Sequence, residues 1–140
     1  IVIADAEALF SFSEVRIGVI PAVISVVCLP KLGKHHGMRL FLTGERFDGN
    51  AAVSYGLVHK AVPAAELQAA VQIEIDAIKL GGPNAVIEAK KLVRMVPELN
   101  VEDGFKATGD WSVRLFQSEE GTEGINAFRE KRKPRWVTDN

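Results

Sequence analysis

Apolar and polar residues alternate near the start of the chain and then give way to helical spacing. Phe10 and Phe12 stand at alternate positions before Glu14, and Val15, Ile17, Val19 and Ile20 follow it. This is the pattern of a short half-buried strand running into a turn. Strand signals cover residues 1–4, 9–12 and 57–62. Gly18 and Pro21 mark turns. From residue 22 the period changes. Residues 22–32 read as a buried helix that Pro30 interrupts and Gly33 stops, and residues 34–42 as a second, with Met38, Phe41 and Leu42 at helical spacing. Asp48 is a good N-cap for a short helix over 49–55 that stops at Gly56. Residues 64–80 give the clearest amphipathic pattern: Leu67, Val71, Ile75 and Ile78 form one stripe, with Gln68, Gln72, Asp76 and Lys79 facing away. Helices over 84–96, 101–117 and 118–133 follow, divided by Gly81-Gly82-Pro83 and Pro97 and closed by Pro134. Ser118 caps the last of them. Glu119 and Glu120 suit the positive end of its dipole, and Lys131, Arg132 and Lys133 the negative end. Gly104 and Gly109 cost a helix about 1 kcal/mol each relative to Ala, so the helix over 101–117 is expected to pack closely against a neighbour.

Composition narrows the class. A chain of 140 residues, 47% hydrophobic and 25% charged, has the makeup of an ordered globular domain rather than a disordered one. A formal net charge of −1 supplies no global attraction to nucleic acid or to an anionic membrane, and no apolar run is long enough to span a bilayer. Cys28, the single cysteine, lies in an apolar run and reads as a buried, inert thiol, in keeping with a reducing, cytoplasmic compartment. Three short strands against this many helices make a poor closed sheet. Residue 1 already stands inside the β-branched run Ile1-Val2-Ile3. The expectation is the C-terminal part of a longer protein, with residues 1–63 as the end of a sheet-containing core and 64–140 as a helical region. The wide apolar stripe of the helix over 101–117, which Trp111, Val113 and Phe116 broaden, points to subunit contacts.

The candidate for chemistry is Glu14. It sits where the alternating run meets a turn, and loops held by a rigid scaffold are where chemistry concentrates. Desolvation by apolar neighbours favours a neutral acid and a proton-transfer role. The alternative is a strand-end Glu pointing into water. His35 and His36 are adjacent, about 100° apart on a helix, and so do not converge on one metal. His59 reads as an outward-facing surface histidine on a strand. The basic run Arg129, Lys131, Arg132, Lys133 and Arg135 suits phosphates or a solvated helix C-terminus equally well. There is no P-loop, dinucleotide glycine fingerprint or nucleophile elbow.

The order of five pieces says more than any one of them. IVIAD, SEVRIGVIP, LTGERFD, YGLVHKAVP and EGINAFREKRKPRW together resemble the enoyl-CoA hydratase/isomerase (crotonase) superfamily, and the match covers nearly the whole chain. The resemblance implies an α/β fold, the C-terminal part of a crotonase-like spiral of ββα units followed by helices that trimerise, often as a dimer of trimers. It implies an acyl-CoA thioester substrate, with CoA as part of the substrate, no separate cofactor and no metal. Glu14 matches the second of two family glutamates, the one that exchanges a proton at the α-carbon. The other glutamate and two backbone N–H donors that hold the thioester oxygen would precede residue 1. Phe128 and Lys131 match positions that contact the adenine and the 3′-phosphate of CoA, and packing with Ile125 is the competing role for Phe128. The family's Phe-Gly-x-Pro-Glu is Phe10-Ser11-Phe12-Ser13-Glu14 here, and its glycine-rich turn is Ala22-Val23-Ile24-Ser25. Val23 and Ile24 should therefore narrow or move the acyl pocket. The leading expectation is reversible addition of water to a 2-enoyl-CoA. Double-bond isomerisation, thioester hydrolysis and an inactive oligomerisation fragment are the alternatives.

Overall fold

The computed structural model describes residues 1–138, so the last two residues of the expected region 64–140 lie outside it. The chain divides into two compact units, Ile1–Ile73 and Glu74–Asn140.

In the first unit, β1 (Ile3–Asp5) pairs in parallel with β2 (Lys60–Val62), with Ile3 opposite Lys60 and Asp5 opposite Val62. The ladder is prolonged at both ends. The Ala6 N–H donates to Val62 O at 2.8 Å. The Val2 N–H donates to His59 Nδ1 at 3.0 Å, while the His59 N–H returns to Val2 O at 2.9 Å. His59 is thus exposed but tied to the neighbouring strand, and it precedes β2 rather than lying within it. The expected strand over 57–62 is shorter because the Leu57 and Val58 N–H groups both turn back to Ala52 O and close the preceding helix. The expected strand over 9–12 reduces to one antiparallel bridge, Phe10 with Phe47. Its alternation is real, but the partner is a single residue 37 positions away rather than a second strand.

Helix α1 (Ala22–Thr43) contains Pro30 and breaks at Gly33, whose φ of 63° and ψ of 174° are not helical. It is two helices across a kink, as the Pro30 and Gly33 signals require. Helix α2 (Gly49–Ser54) starts at Asp48, whose carboxylate accepts from the Ala51 N–H at 2.8 Å. The core of this unit joins Phe12, Cys28, Leu32, Leu40, Phe47, Ala52 and Val58. Leu40, at 1% exposure, is its most enclosed large side chain. His36 lies against Tyr55, with ring centroids 4.7 Å apart. Among the described residues no group of three or more His, Cys, Asp or Glu is arranged to hold a metal. No helix among them is long and apolar enough to cross a membrane.

Helix α3 (Leu67–Lys79) carries the boundary between the units. In the second unit, α4 (Pro83–Met95), α5 (Val101–Phe116) and α6 (Glu119–Arg129) follow. Asn100 caps α5 through the Asp103 N–H, and Ser118 caps α6 through the Gly121 N–H. The N-terminus of α4 has no local cap. Glu120, from α6, accepts from the Asn84 and Ala85 N–H groups at 3.0 and 2.7 Å. A carboxylate there satisfies two orphan donors and meets the positive end of the dipole. Trp111 of α5 donates to Glu88 of α4 at 2.7 Å. The hydrogen bond from Lys91, together with that from Trp111, holds the Glu88 carboxyl below its ordinary range. Gly104 and Gly109 have no close neighbour: a Cβ at either would meet nothing within 4 Å. At these two positions, among the described residues, the expected tight contact of α5 is not made, although Gly104 itself is buried. Val101, Phe105, Val113 and Phe116 of the same helix stand exposed.

Candidate functional site

Glu14 does not end a strand. It lies in a 3₁₀ turn, Ser13–Ile17, that closes at Gly18 in the left-handed conformation. The turn is fixed on both sides. Ahead of it, the Phe10 N–H and C=O exchange hydrogen bonds with Phe47 at 2.9 and 3.0 Å. Phe12 is buried against Phe41, with centroids 4.5 Å apart, and against Phe47. Behind it, Arg16 Nε donates to Thr43 O at the end of α1, and Ser11 Oγ donates to Gly44 O. Gly44 makes this approach possible. A Cβ there would lie 3.2 Å from Phe12 O and 3.3 Å from Ser13 Cα, at a φ of 56° that side chains rarely adopt.

So held, Glu14 opens onto a cleft of about 460 Å³ lined by Ile20, Pro21, Ala22, Val23, Ile24 and Val27. Glu14 is half-buried. Its Oε2 is buried outright and has no hydrogen-bond partner. An orphaned buried carboxylate oxygen costs about 1–3 kcal/mol, more when charged, and native structures keep such atoms rarely. No local partner competes for this oxygen, so it is available to a proton on a bound molecule. The alternative of a strand-end glutamate in open water does not describe it. Val23 and Ile24 are among the residues that line this cleft.

Phe128 and Lys131 are in the other unit, at the end of α6. Phe128 is 86% exposed, so it does not serve as a packing residue within this chain. Lys131 is exposed with φ of 54°, the sole non-glycine at positive φ among the described residues. The last helix stops at Arg129, four residues short of the expected end, because the chain turns through Lys131.

Sequence reasoning missed the side chains that hold this turn. Arg132 grips Glu123 through Nη1 at 2.7 Å and Nη2 at 3.1 Å, and Glu130 through Nε at 2.5 Å. Arg135 adds its backbone N–H to Glu123 Oε1 at 3.0 Å and its Nε to Oε2 at 3.5 Å. The hydrogen bond from Arg132, aided by the Arg135 N–H, pulls the Glu123 carboxyl down to about 2. Arg132 is displaced upward in turn, first by Glu123 and then by Glu130. The pair is nine residues apart, a spacing with no helical or strand period, so no sequence pattern marks it.

The fold defines the class: an α/β chain that matches the C-terminal part of a crotonase fold. More particularly, it belongs to the enoyl-CoA hydratase/isomerase family, whose model matches residues 1–139. A carnitinyl-CoA dehydratase from Proteus mirabilis is 31% identical over 140 residues, covering 96% of this chain and 54% of its own length. The crystal structure of an enoyl-CoA hydratase from Shewanella pealeana superposes with a TM-score of 0.86 at 37% identity, over 96% of this chain and 50% of that one. Pseudomonas aeruginosa AtuE gives a TM-score of 0.91 at 31% identity, over 97% and 53%. The chain spans about half the length of the curated relatives it matches.

Proposed function

We propose that this chain is the C-terminal part of an acyl-CoA lyase that adds water reversibly to a 2-enoyl-CoA. The observation that carries the reading is the partnerless Glu14 Oε2 at the mouth of an apolar cleft. In hydration, water oxygen bonds to the β-carbon as its proton passes to a second carboxylate. The π-electrons move toward the thioester carbonyl as an enolate, and Glu14 delivers a proton to the α-carbon. Dehydration runs the same steps backward. Phe128 offers a ring face to adenine and Lys131 an ammonium to the 3′-phosphate. CoA is part of the substrate, and no separate cofactor or metal enters the scheme. The exposed apolar residues of α5 suit a homotrimer or hexamer, and the single buried thiol of Cys28 suits a cytoplasmic setting. The family pattern also calls for two oxyanion donors and a partner glutamate, which the resemblance matches to no residue of this chain.

Isomerisation is the second reading. It needs only Glu14 among the described residues that line the cleft, since one carboxylate can carry a proton between two carbons without water. Product mass separates the two: hydration adds about 18 mass units, one water, and isomerisation adds none. In the protein that carries this chain, Glu14→Gln is expected to lower turnover of crotonyl-CoA by about 10²–10⁴-fold. An unchanged rate removes Glu14 from the chemistry.

A further inference from the structure

The end of α6 is closed by a pair of hydrogen bonds, Lys131 N–H to Phe128 O at 3.2 Å and Arg132 N–H to Ala127 O at 3.0 Å. This closure places the residue between them in the left-handed conformation, where glycine is the default. Lys131 occupies that place with φ of 54°. A side chain there costs stability that glycine would not lose. Strain of this kind persists where the surroundings over-determine it and where it serves a site.

The surroundings here are specific. Glu123, its side chain 11% exposed, accepts three hydrogen bonds, two from the Arg132 fork and one from the Arg135 backbone, and pairs with the Arg135 side chain at 3.5 Å. One carboxylate on α6 therefore fixes the chain on the C-terminal side of Lys131. Arg132 also takes up Glu130. The two carboxylates nearest the turn are thus neutralised by arginine, and no ion pair among the described residues includes Lys131. A guanidinium fork suits this task because it holds a carboxylate in one plane, which an ammonium does not.

We propose that Glu123 is the positioning residue of the Lys131 turn: through Arg132 and Arg135 it holds that turn left-handed, so that the Lys131 ammonium is presented to the 3′-phosphate of CoA. This rests on the CoA reading of Lys131 given above. Glu123 does not touch the ligand. It acts by removing the conformational freedom that a lysine on a frayed helix end would lose on binding.

The test compares CoA with 3′-dephospho-CoA by titration calorimetry on the protein that carries this chain, and follows amide hydrogen exchange at Lys131 and Arg132. The unaltered chain is expected to prefer CoA by about tenfold, the scale of one charge-assisted contact. Lys131→Met removes that preference. Glu123→Gln reduces it to within about twofold of the Lys131→Met value and exposes the two turn amides to exchange while the amides inside α6 stay protected. Lys131→Gly raises Tm by about 3 °C and also removes the preference. Arg132→Lys keeps the charge but loses the fork, and it gives the Glu123→Gln result if that variant does not fold. A full preference in Glu123→Gln or Arg132→Lys overturns the proposal, as does unchanged protection of the turn amides. So does a Tm that Lys131→Gly leaves unchanged or lowers. An unaltered chain with no preference for CoA overturns the CoA reading and the proposal with it. A preference that Lys131→Met abolishes and Glu123→Gln leaves intact overturns this proposal alone.

Discussion

Two carboxylates in this chain, Glu14 within a turn and Glu123 on the helix before one, are treated in opposite ways. Glu123 is well satisfied, with three hydrogen bonds from Arg132 and Arg135 and an ion pair to the Arg135 side chain. Glu14 has a buried oxygen with no donor at all and apolar residues around it. Their turns differ in the same sense. The Glu14 turn closes on Gly18, a residue with no steric objection to φ of 80°, and is anchored by buried rings. The Lys131 turn closes on a lysine and is anchored by ions. A well-satisfied carboxylate is committed to structure, since its lone pairs already serve neighbours. An unsatisfied one carries a local cost with no local return, which is how reactive groups are kept.

The largest expected effect tests the chemical side. Glu14→Gln should lower turnover by about 10³-fold, near 4 kcal/mol in the barrier, while thermal unfolding of the chain stays unchanged or moves upward. No hydrogen bond to Oε2 is lost, and the amide keeps the shape of the carboxyl group. A clear fall in Tm would place Glu14 with Glu123 as a structural carboxylate and end the contrast. Next in size is the anchor. Phe12→Ala empties a ring from the core beside the Glu14 turn and should cost about 3–5 kcal/mol in denaturant unfolding. That loss should vary little with salt, whereas a loss at Glu123 should depend on it. Equal salt dependence in both would show that the two turns are not held by different forces.

The third effect is a gain. Lys131→Gly should add about 1 kcal/mol of stability, because glycine accepts the left-handed position without penalty. Urea unfolding reads it directly. No gain would mean that the left-handed position carries no strain for the ion cluster to hold, and the clamp would fall with it.

The two regions also differ in how far the sequence announces them. The helices were legible because their signals are local: Asp48 and Ser118 bond to N–H groups three residues on, and Gly33 breaks α1 where it stands. The Phe10–Phe12 alternation was legible but its meaning was not. Alternation reports which side chains turn inward, and only the distant Phe47 decides whether a strand forms. Glu14 could be picked out by its apolar company and by family resemblance. That its Oε2 lacks a partner depends on where the start of α1 passes, which no local pattern encodes. Glu120 reads locally as a dipole residue of its own helix, yet it caps α4 from 35 residues away. Glu123 and Arg132 were hidden for the same reason. Their meeting depends on the reversal at Lys131, and a lysine at a left-handed position carries no turn signal as glycine would.

The smallest effect separates the carboxylates by pH. Glu123 is held at about 2 by Arg132 first and by the Arg135 N–H, against an ordinary value of 4.5. Its folded value lies below its unfolded one. The stability it contributes is therefore complete above pH 4.5 and is lost as pH falls from there through about 2. Arg132 facing it is displaced upward by Glu123 first and then Glu130, the Arg135 side chain lies beside it, and Glu130 is exposed. The loss therefore belongs chiefly to Glu123. Amide exchange at Lys131 and Arg132, once corrected for its intrinsic pH dependence, should be unchanged from pH 7 to pH 5 and should quicken below pH 4. In Glu123→Gln the turn should be open at every pH, with no such step. A step that survives in the variant would assign the titration to Glu130, and the clamp on the Lys131 turn would then rest on the exposed carboxylate rather than the enclosed one.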